Sequence, residues 1–473
     1  MKKRSLLKKT LCVFFSAMLL ASALSSCGGG GGEAGSSGEK TPKDTLVVAK
    51  SEDITSLDPA EAINQKSFSI YMQLYEGLVK YNPETGGVDP CLATEWEQLD
   101  DTTWHFTLRE GVSFHDGNTM TSEDVVFSFE RVMNSSISST YVSYIESVEA
   151  DGDYGVIFHL TMPYAQILQA LTYPAAVVVS KAAVESEGEN YAKNPVGTGP
   201  YHFVEWQAAN SITMEAFDGY WGEKAKTQNL IFRVIPEGSQ RTIMLENGEA
   251  DIICDVPPID ATRVAEAENL TLLNETGYKY YAIYFKCDSA TPTSNKLVRQ
   301  AIEYAIDKQA IVDAVMNGYA EVGSLLATPP TVGYNSEKDR GNIYDPEKAK
   351  ELLTEAGYAD GFDLEVYVRS GQIYEEIATI LQDQLSAVGI HLNQNILESN
   401  TIDEMVYGGD EVPIRLSFYN NICGDTEFIM QKLLPDAYGQ VYFNDQMVDI
   451  INRVRAEAVS YTHLDVYKRQ VCD

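Results

Sequence analysis

The chain has 473 residues, with 69 acidic side chains against 35 basic ones and a formal net charge of −34. Such a surface repels nucleic acid and anionic lipid headgroups alike, which excludes both as electrostatic partners. An apolar content of 44% with 10% aromatics is globular, and the length exceeds what one hydrophobic core organises, so two or more domains are expected.

Residues 1–26 read as a secretory signal. Met1-Lys2-Lys3-Arg4, Lys8 and Lys9 form a basic head, followed by an apolar run from Leu11 to Leu24 and then Ser25-Ser26. The run is shorter than the roughly 20 residues a bilayer span needs. Cys27 follows directly and resembles the cysteine of a bacterial lipobox, whose thiol takes a diacylglyceryl group and becomes the mature N-terminus. Two or more acyl chains anchor stably where one does not. Removing the leader takes away five basic residues and no acid, leaving 447 residues and a charge of −39. Residues 28–43 are Gly/Ser-rich, a flexible tether spanning roughly 20–24 Å. The mature chain is therefore expected on the extracytoplasmic face of the cell membrane, held there by lipid alone.

The folded part begins with a strand at Thr45–Ala49. Phe68, Tyr71, Met72, Tyr75 and Leu78 recur at helical spacing over Ser67–Val79. Trp104, Phe106 and Leu108 alternate with His105 and Thr107, which predicts a strand with one apolar face. After the Phe114–Gly117 turn, Thr121-Ser122-Glu123-Asp124 reads as a cap for a helix carrying Val125, Val126 and Phe129. Ser147–Leu160 is a hairpin around Asp151-Gly152. Asn194-Pro-Val-Gly-Thr-Gly-Pro-Tyr201 is a rigid break in which the chain crosses another element. Strands are predicted at Asn210–Phe217, Asn229–Ile235 and Asp251–Cys254, with a helix at Ser239–Leu245 ending at Asn247-Gly248. Beyond Tyr278–Phe285, helices and strands alternate. Helices fall at Asn295–Asp307, after the Asp345-Pro346 cap, and at Tyr374–Val388; strands fall at Phe362–Arg369 and Pro413–Phe418. Asp445–Ala458 is an amphipathic helix carrying Met447, Ile450, Ile451 and Val454.

Chemistry-bearing patterns are sparse. There is no G-x-S-x-G, no H-E-x-x-H and no phosphate-binding Gly-Lys loop, so no enzyme is expected. The six histidines are dispersed, and Cys91, Cys254, Cys287 and Cys423 lack zinc spacing and read as buried free thiols, with two disulfides among the four as the alternative. No cofactor and no metal are expected.

Tyr75-Glu-Gly-Leu-Val79, Leu92-Ala-Thr-Glu-Trp96, Trp104–Arg109 with Phe114-His-Asp-Gly117, and Asp124-Val-Val-Phe-Ser128 stand in order along the chain. Pro195–Tyr201, Ala216-Phe-Asp-Gly-Tyr-Trp-Gly222, Val298-Arg-Gln-Ala-Ile302, and Tyr344–Lys350 with Leu352-Leu353 and Ala356-Gly357 continue the series. Together these blocks resemble the peptide/dipeptide/nickel-binding family (family 5) of ABC-importer solute-binding proteins, over about residues 45–458. The resemblance implies an α/β, two-lobed periplasmic-binding-protein-like clamshell with an extra subdomain on the first lobe. Residues 44–80 and 195–283 would form the first lobe, 81–194 the extra subdomain and 284–458 an incomplete second lobe. It also implies a monomer that captures a short peptide and passes it to the permease subunits of an ABC importer, anchored to the membrane by lipid. Nickel chelate, haem or oligosaccharide binding by the same fold is the alternative, as is a receptor that senses a peptide without importing it; a secreted hydrolase is the remaining one.

The site residues come from the same resemblance. Phe418 falls on a tryptophan of the relatives and Asn421 on their aspartate for the peptide amino group. An amide supplies no counter-charge, a loss on the order of 1–2 kcal/mol that Asp425 would recover only through a local shift. Arg369 falls near the arginine for the peptide carboxylate, and a guanidinium suits that group by donating two parallel hydrogen bonds. Asn64 and Gln65 match a loop that touches the peptide backbone, and Tyr141 or Tyr144 a subdomain tyrosine reaching the cleft. The segment Ser460–Gln470 has no helical period and resembles an adapter-derived stretch found at the ends of metagenomic proteins. Residues 459–473 are accordingly expected to be non-native, with the true C-terminus missing.

Overall fold

The computed structural model describes residues 43–61, 65–287, 289–408, 412–420, 429–430 and 445–456. The 1–26 leader, Cys27 and its tether up to residue 42, Asn64, Asn421, Cys423, Asp425 and the 459–473 tail lie outside the described residues.

β1 (Thr45–Lys50) and α1 (Gln65–Leu74) open the folded chain. The helix is shorter than its apolar periodicity predicts, although Tyr75 and Leu78 are buried as expected. The cause is tertiary. The carbonyl of Leu74 accepts from the N–H of Gly199 at 3.0 Å, within the Asn194–Tyr201 crossing. A Cβ on Gly197 would stand 2.1 Å from that carbonyl oxygen, and one on Gly199 2.3 Å from the Gln73 carbonyl oxygen. Only glycine lets the two backbones meet there.

A hairpin of β2 (Val79–Asn82) and β3 (Gly87–Pro90) leads into an antiparallel sheet of β4 (Ala93–Asp100), β5 (Thr103–Leu108), β6 (Ile145–Ala150) and β7 (Gly155–Leu160), ordered β4-β5-β7-β6. α2 (Ser122–Met133) packs on this sheet, and Asp124 caps it by accepting from the Thr121 N–H at 3.0 Å. Phe158 receives Phe106 and Phe129 edge-on, with ring centroids 5.2 and 4.9 Å away. α3 (Ile167–Ala170) and α4 (Lys181–Glu187) complete this part of the chain.

The chain then returns to β1 through β8 (Tyr201–Gln207), β9 (Ser211–Ala216), β10 (Asn229–Val234), α5 (Gly238–Glu246), β11 (Ile252–Ile253) and α6 (Pro258–Glu266). The resulting sheet runs β11-β1-β10-β9-β8, with β1 parallel to both its neighbours. Leu57, Tyr71, Tyr75, Tyr191 and Phe232 fill its core.

β12 (Lys279–Phe285) leaves this body for a separate sheet, ordered β12-β15-β13-β14. There β13 (Phe362–Arg369) runs parallel to β14 (Ile390–Leu397) and β15 (Ile414–Asn420), and β12 is antiparallel to β15. α7 (Lys296–Ala305), α8 (Lys308–Val315), α9 (Pro346–Glu355) and α10 (Gln372–Ser386) share one core with Leu364, Val366, Val368 and Leu416. As predicted, Asp345 caps α9 by accepting from the Lys348 N–H at 2.9 Å, with Pro346 in the first turn. α11 (Ser399–Gly408) and α12 (Asp445–Ala456) follow. A cavity within this core is lined by apolar side chains, Ile283, Leu364 and Leu416 among them, and is a packing void. The architecture is a mixed α/β, two-lobed one, each lobe with its own sheet and core.

Among the described residues no helix is long and apolar enough to cross a membrane, and no group of three or more His, Cys, Asp or Glu side chains is placed to hold a metal ion. Cys91 and Cys254 are free thiols.

His115 gives the fold an acid-sensitive joint. Its Nε2–H donates to the Gly199 carbonyl at 3.0 Å and its Nδ1 accepts from the Gly197 N–H at 3.3 Å, a pattern that needs the neutral ring. Burial lowers its pKa from 6.5 to about 4. With the folded value depressed, this contribution is whole above pH 6.5 and is lost as pH falls toward 4. The expected slope is at most about 1.4 kcal/mol per pH unit in that window. Urea titrations of wild type and His115→Gln across pH 4–8 check it: the stability difference between them should be constant above pH 6.5 and shrink below. A constant difference throughout would rule His115 out as the source.

Candidate functional site

Ligands of open α/β sheets bind beyond the carboxyl ends of the parallel strands. In the first sheet those ends are Lys50, Val234 and Ile253; in the second they are Arg369, Leu397 and Asn420. β12 enters the second sheet at this same end, its first residue Lys279 paired with Asn420. Immediately before it, the Tyr278 hydroxyl shares a 3.0 Å hydrogen bond with the hydroxyl of Tyr81 on β2. The crossing strand is thus tied to the first lobe at its point of departure.

On the first lobe, the loops at the strand ends are pinned from inside. Arg241 on α5 is buried and donates to the carbonyls of Cys254, Ile235, Pro236 and Asp255 at 3.1, 2.8, 3.0 and 2.7 Å. Asp255, at φ 55, accepts from the Ser51 hydroxyl at 2.9 Å. The loop before α1 is held as firmly. Asp58 is 2% exposed and accepts from both terminal nitrogens of Arg131 on α2, at 3.2 and 2.6 Å. The carbonyl of Ala60 accepts from the hydroxyls of Ser135 and Ser138, each at 2.6 Å. These bonds fix the chain from Asp58 to Ala60.

On the second lobe, Arg369 is buried at the end of β13. Its Nε donates to the Ser417 hydroxyl at 2.8 Å and its Nη1 to the Ser399 carbonyl at 3.2 Å. Both terminal nitrogens reach the carboxylate of Asp403 on α11, Nη1 at 3.1 Å and Nη2 more closely. The guanidinium also lies 5.5 Å from the Phe418 ring centroid. Phe418 is register partner to Tyr281 on β12, and Tyr374 in the first turn of α10 closes the group, 5.5 Å from Tyr281 and 6.5 Å from Phe418. Burial pushes the Tyr374 hydroxyl well above its ordinary pKa. The Lys279 ammonium stands 5.0 Å from the Tyr281 ring and 4.9 Å from that of Phe418. Aromatic faces, hydroxyls and two cations are thus gathered where β12 begins and β13 and β15 end.

The family model for bacterial extracellular solute-binding proteins, family 5 (Middle), matches residues 87–436. The chain belongs to family 5 of these proteins. A glutathione-binding protein, GsiB of Pectobacterium atrosepticum, is 28% identical over 421 residues, 85% of this chain and 81% of its own. The dipeptide-binding protein of Escherichia coli is 34% identical over 325 residues, 62% of this chain and 59% of that one. Among solved structures, the periplasmic binding protein DppA of Helicobacter pylori in complex with the peptide STSA superposes with a TM-score of 0.79 at 26% identity, covering 89% of this chain and 88% of that one.

Of the residues the sequence pointed to in this family 5 protein, the structure brings Arg369 and Phe418 together. Tyr141 and Tyr144 stand between α2 and β6, where Tyr141 stacks on Tyr173 at 4.3 Å and Tyr144 on Tyr164 at 4.8 Å. Gln65 opens α1. Asn64, Asn421 and Asp425 lie outside the described residues. Sequence reasoning missed Lys279, Tyr281, Tyr374 and Asp403. The tyrosine-rich run Lys279–Phe285 was a usable signal for the first two; nothing local marked the others.

Proposed function

We propose that this family 5 protein is a lipid-anchored, extracytoplasmic solute-binding protein that captures short peptides and delivers them intact to the permease subunits of an ABC importer. The carrying observation is its likeness, over nearly nine-tenths of both chains, to a binding protein whose structure holds the peptide STSA. Relatives named for glutathione and dipeptide binding support the same ligand class. In this reading the monomer binds peptide between the lobes, with Arg369 and Phe418 on the second lobe and Asn64, Gln65, Tyr141 and Tyr144 on the first. Asn421 and Asp425 continue the site past β15. Ligand favours the closed state by its differential affinity for it. A micromolar Kd corresponds to about −8 kcal/mol, within reach of several backbone hydrogen bonds and one ion pair. ATP is spent by the importer, and Cys27 carries the lipid.

Thermal shift against di-, tri- and oligopeptides, nickel chelates and haem tests the assignment. A peptide at 100 times its Kd adds about 2.7 kcal/mol, a rise of roughly 3–6 °C in Tm. Stabilisation by a non-peptide alone discards the peptide reading, and peptide turnover would replace it with a hydrolase. For the anchor, Cys27→Ala should release the protein from the membrane fraction; unchanged membrane retention would remove the lipid reading.

A further inference from the structure

We infer that Lys279 is the cleft residue that takes the anionic group of the ligand, seating a carboxylate against the Tyr281–Phe418 ring pair. The inference rests on the peptide-binding reading and assigns the chemistry of one end of that site.

Position is the first reason. Lys279 is the first residue of the strand that joins the lobes, paired with Asn420 at the carboxyl end of β15 and one residue from the Tyr278–Tyr81 contact. Its side chain is exposed. Charge is the second. Acidic side chains outnumber basic ones by 69 to 35. Lys43, Lys181, Lys308, Lys348 and Lys350 each have a carboxylate within 4 Å. Among the described residues no such carboxylate stands by Lys279, whose ammonium rests on two aromatic rings. An uncompensated cation at the strand ends of so acidic a protein leaves a local positive potential, and the rings shield one side of it from water without neutralising it.

The nearby alternative is already engaged. Arg369 is bound by both terminal nitrogens to Asp403 and by Nε to Ser417, so a ligand carboxylate would have to displace an internal one. Lys279 needs no such exchange. Its compact ammonium has three rotatable donors and accepts a carboxylate from a range of directions, which suits peptides of differing length.

The experiment is calorimetry on the full chain with the tetrapeptide Ser-Thr-Ser-Ala as free acid, as C-terminal amide, and as the amide with glutamate at position two. Wild type should bind the acid at least tenfold more tightly than the amide. Lys279→Gln should abolish that preference with an unchanged thermal midpoint, and Lys279→Arg should retain it. Tight binding of the glutamate-containing amide, lost in Lys279→Gln, would assign the subsite to an acidic side chain rather than the peptide terminus and supports the inference. Equal discrimination by wild type and Lys279→Gln overturns it while leaving peptide binding intact. Tighter binding of the plain amide by Lys279→Gln also overturns it, by showing that the rings form a cation site the lysine occupies. If wild type binds none of the three, while the peptide screen described above also fails, the peptide reading falls and this inference with it.

Discussion

Asp58→Ala is expected to lower the unfolding free energy by about 3–5 kcal/mol, because it strands a charged partner in a desolvated joint. Asp58 is 2% exposed and holds Arg131 by both terminal nitrogens. Arg131 also lies 5.9 Å from the Phe127 ring and 5.7 Å from that of Tyr191, so the orphaned guanidinium would remain among rings. Burial weakens its charged form, but the Asp58 contact outweighs this and holds its pKa above the ordinary value. Replacing both residues, as Asp58→Leu with Arg131→Met, should recover much of the loss, since an apolar pair carries no desolvation cost. Urea unfolding at pH 7 measures both. A single-mutant loss below about 1 kcal/mol would place the pair among ordinary surface bridges.

The second large effect belongs to Glu76. Three strong donors converge on its half-buried carboxylate: the Trp221 indole at 2.7 Å, the Tyr220 hydroxyl at 2.8 Å and the Thr198 hydroxyl at 2.9 Å, with the Cys91 thiol at 3.8 Å. Arg109 lies over the Trp221 ring at 4.2 Å. Glu76→Ala should cost about 3–5 kcal/mol by leaving these donors unmet, and Glu76→Gln less, since an amide keeps one acceptor oxygen. Burial outweighs the donors and raises the Glu76 pKa above 4.5. Its titration therefore favours folding most at low pH and loses that contribution as pH rises through the raised value. Equal losses for alanine and glutamine would show that packing, not acceptance, is what the site requires.

Glu76 also shows how much of the molecule was legible beforehand. Tyr75-Glu-Gly-Leu, Gly-Thr-Gly-Pro and Asp-Gly-Tyr-Trp were recognisable as blocks, yet their meeting at one carboxylate was not, since the latter two stand 122 and more residues from Glu76. The same holds for α1, whose periodicity continues to Leu78 while the helix ends at Leu74. Local pattern measures which side chains must be buried; it does not register a distant backbone claiming a helical carbonyl.

What the sequence settled alone was whatever depends on neighbours within a few residues. The alternating strand at Trp104–Leu108, the caps at Asp124 and Asp345 and the paired glycines of the crossing all stand where their chemistry requires. The two-lobed α/β fold was an expectation that came with the family resemblance, not with these local patterns. Tertiary structure alone decided which charges were already spent. Arg369 meets Asp403 across 34 residues, and Lys279 meets Phe418 only through the register of two strands. A charge acts through its surroundings in three dimensions, and one-dimensional spacing carries no record of which partner reaches it first.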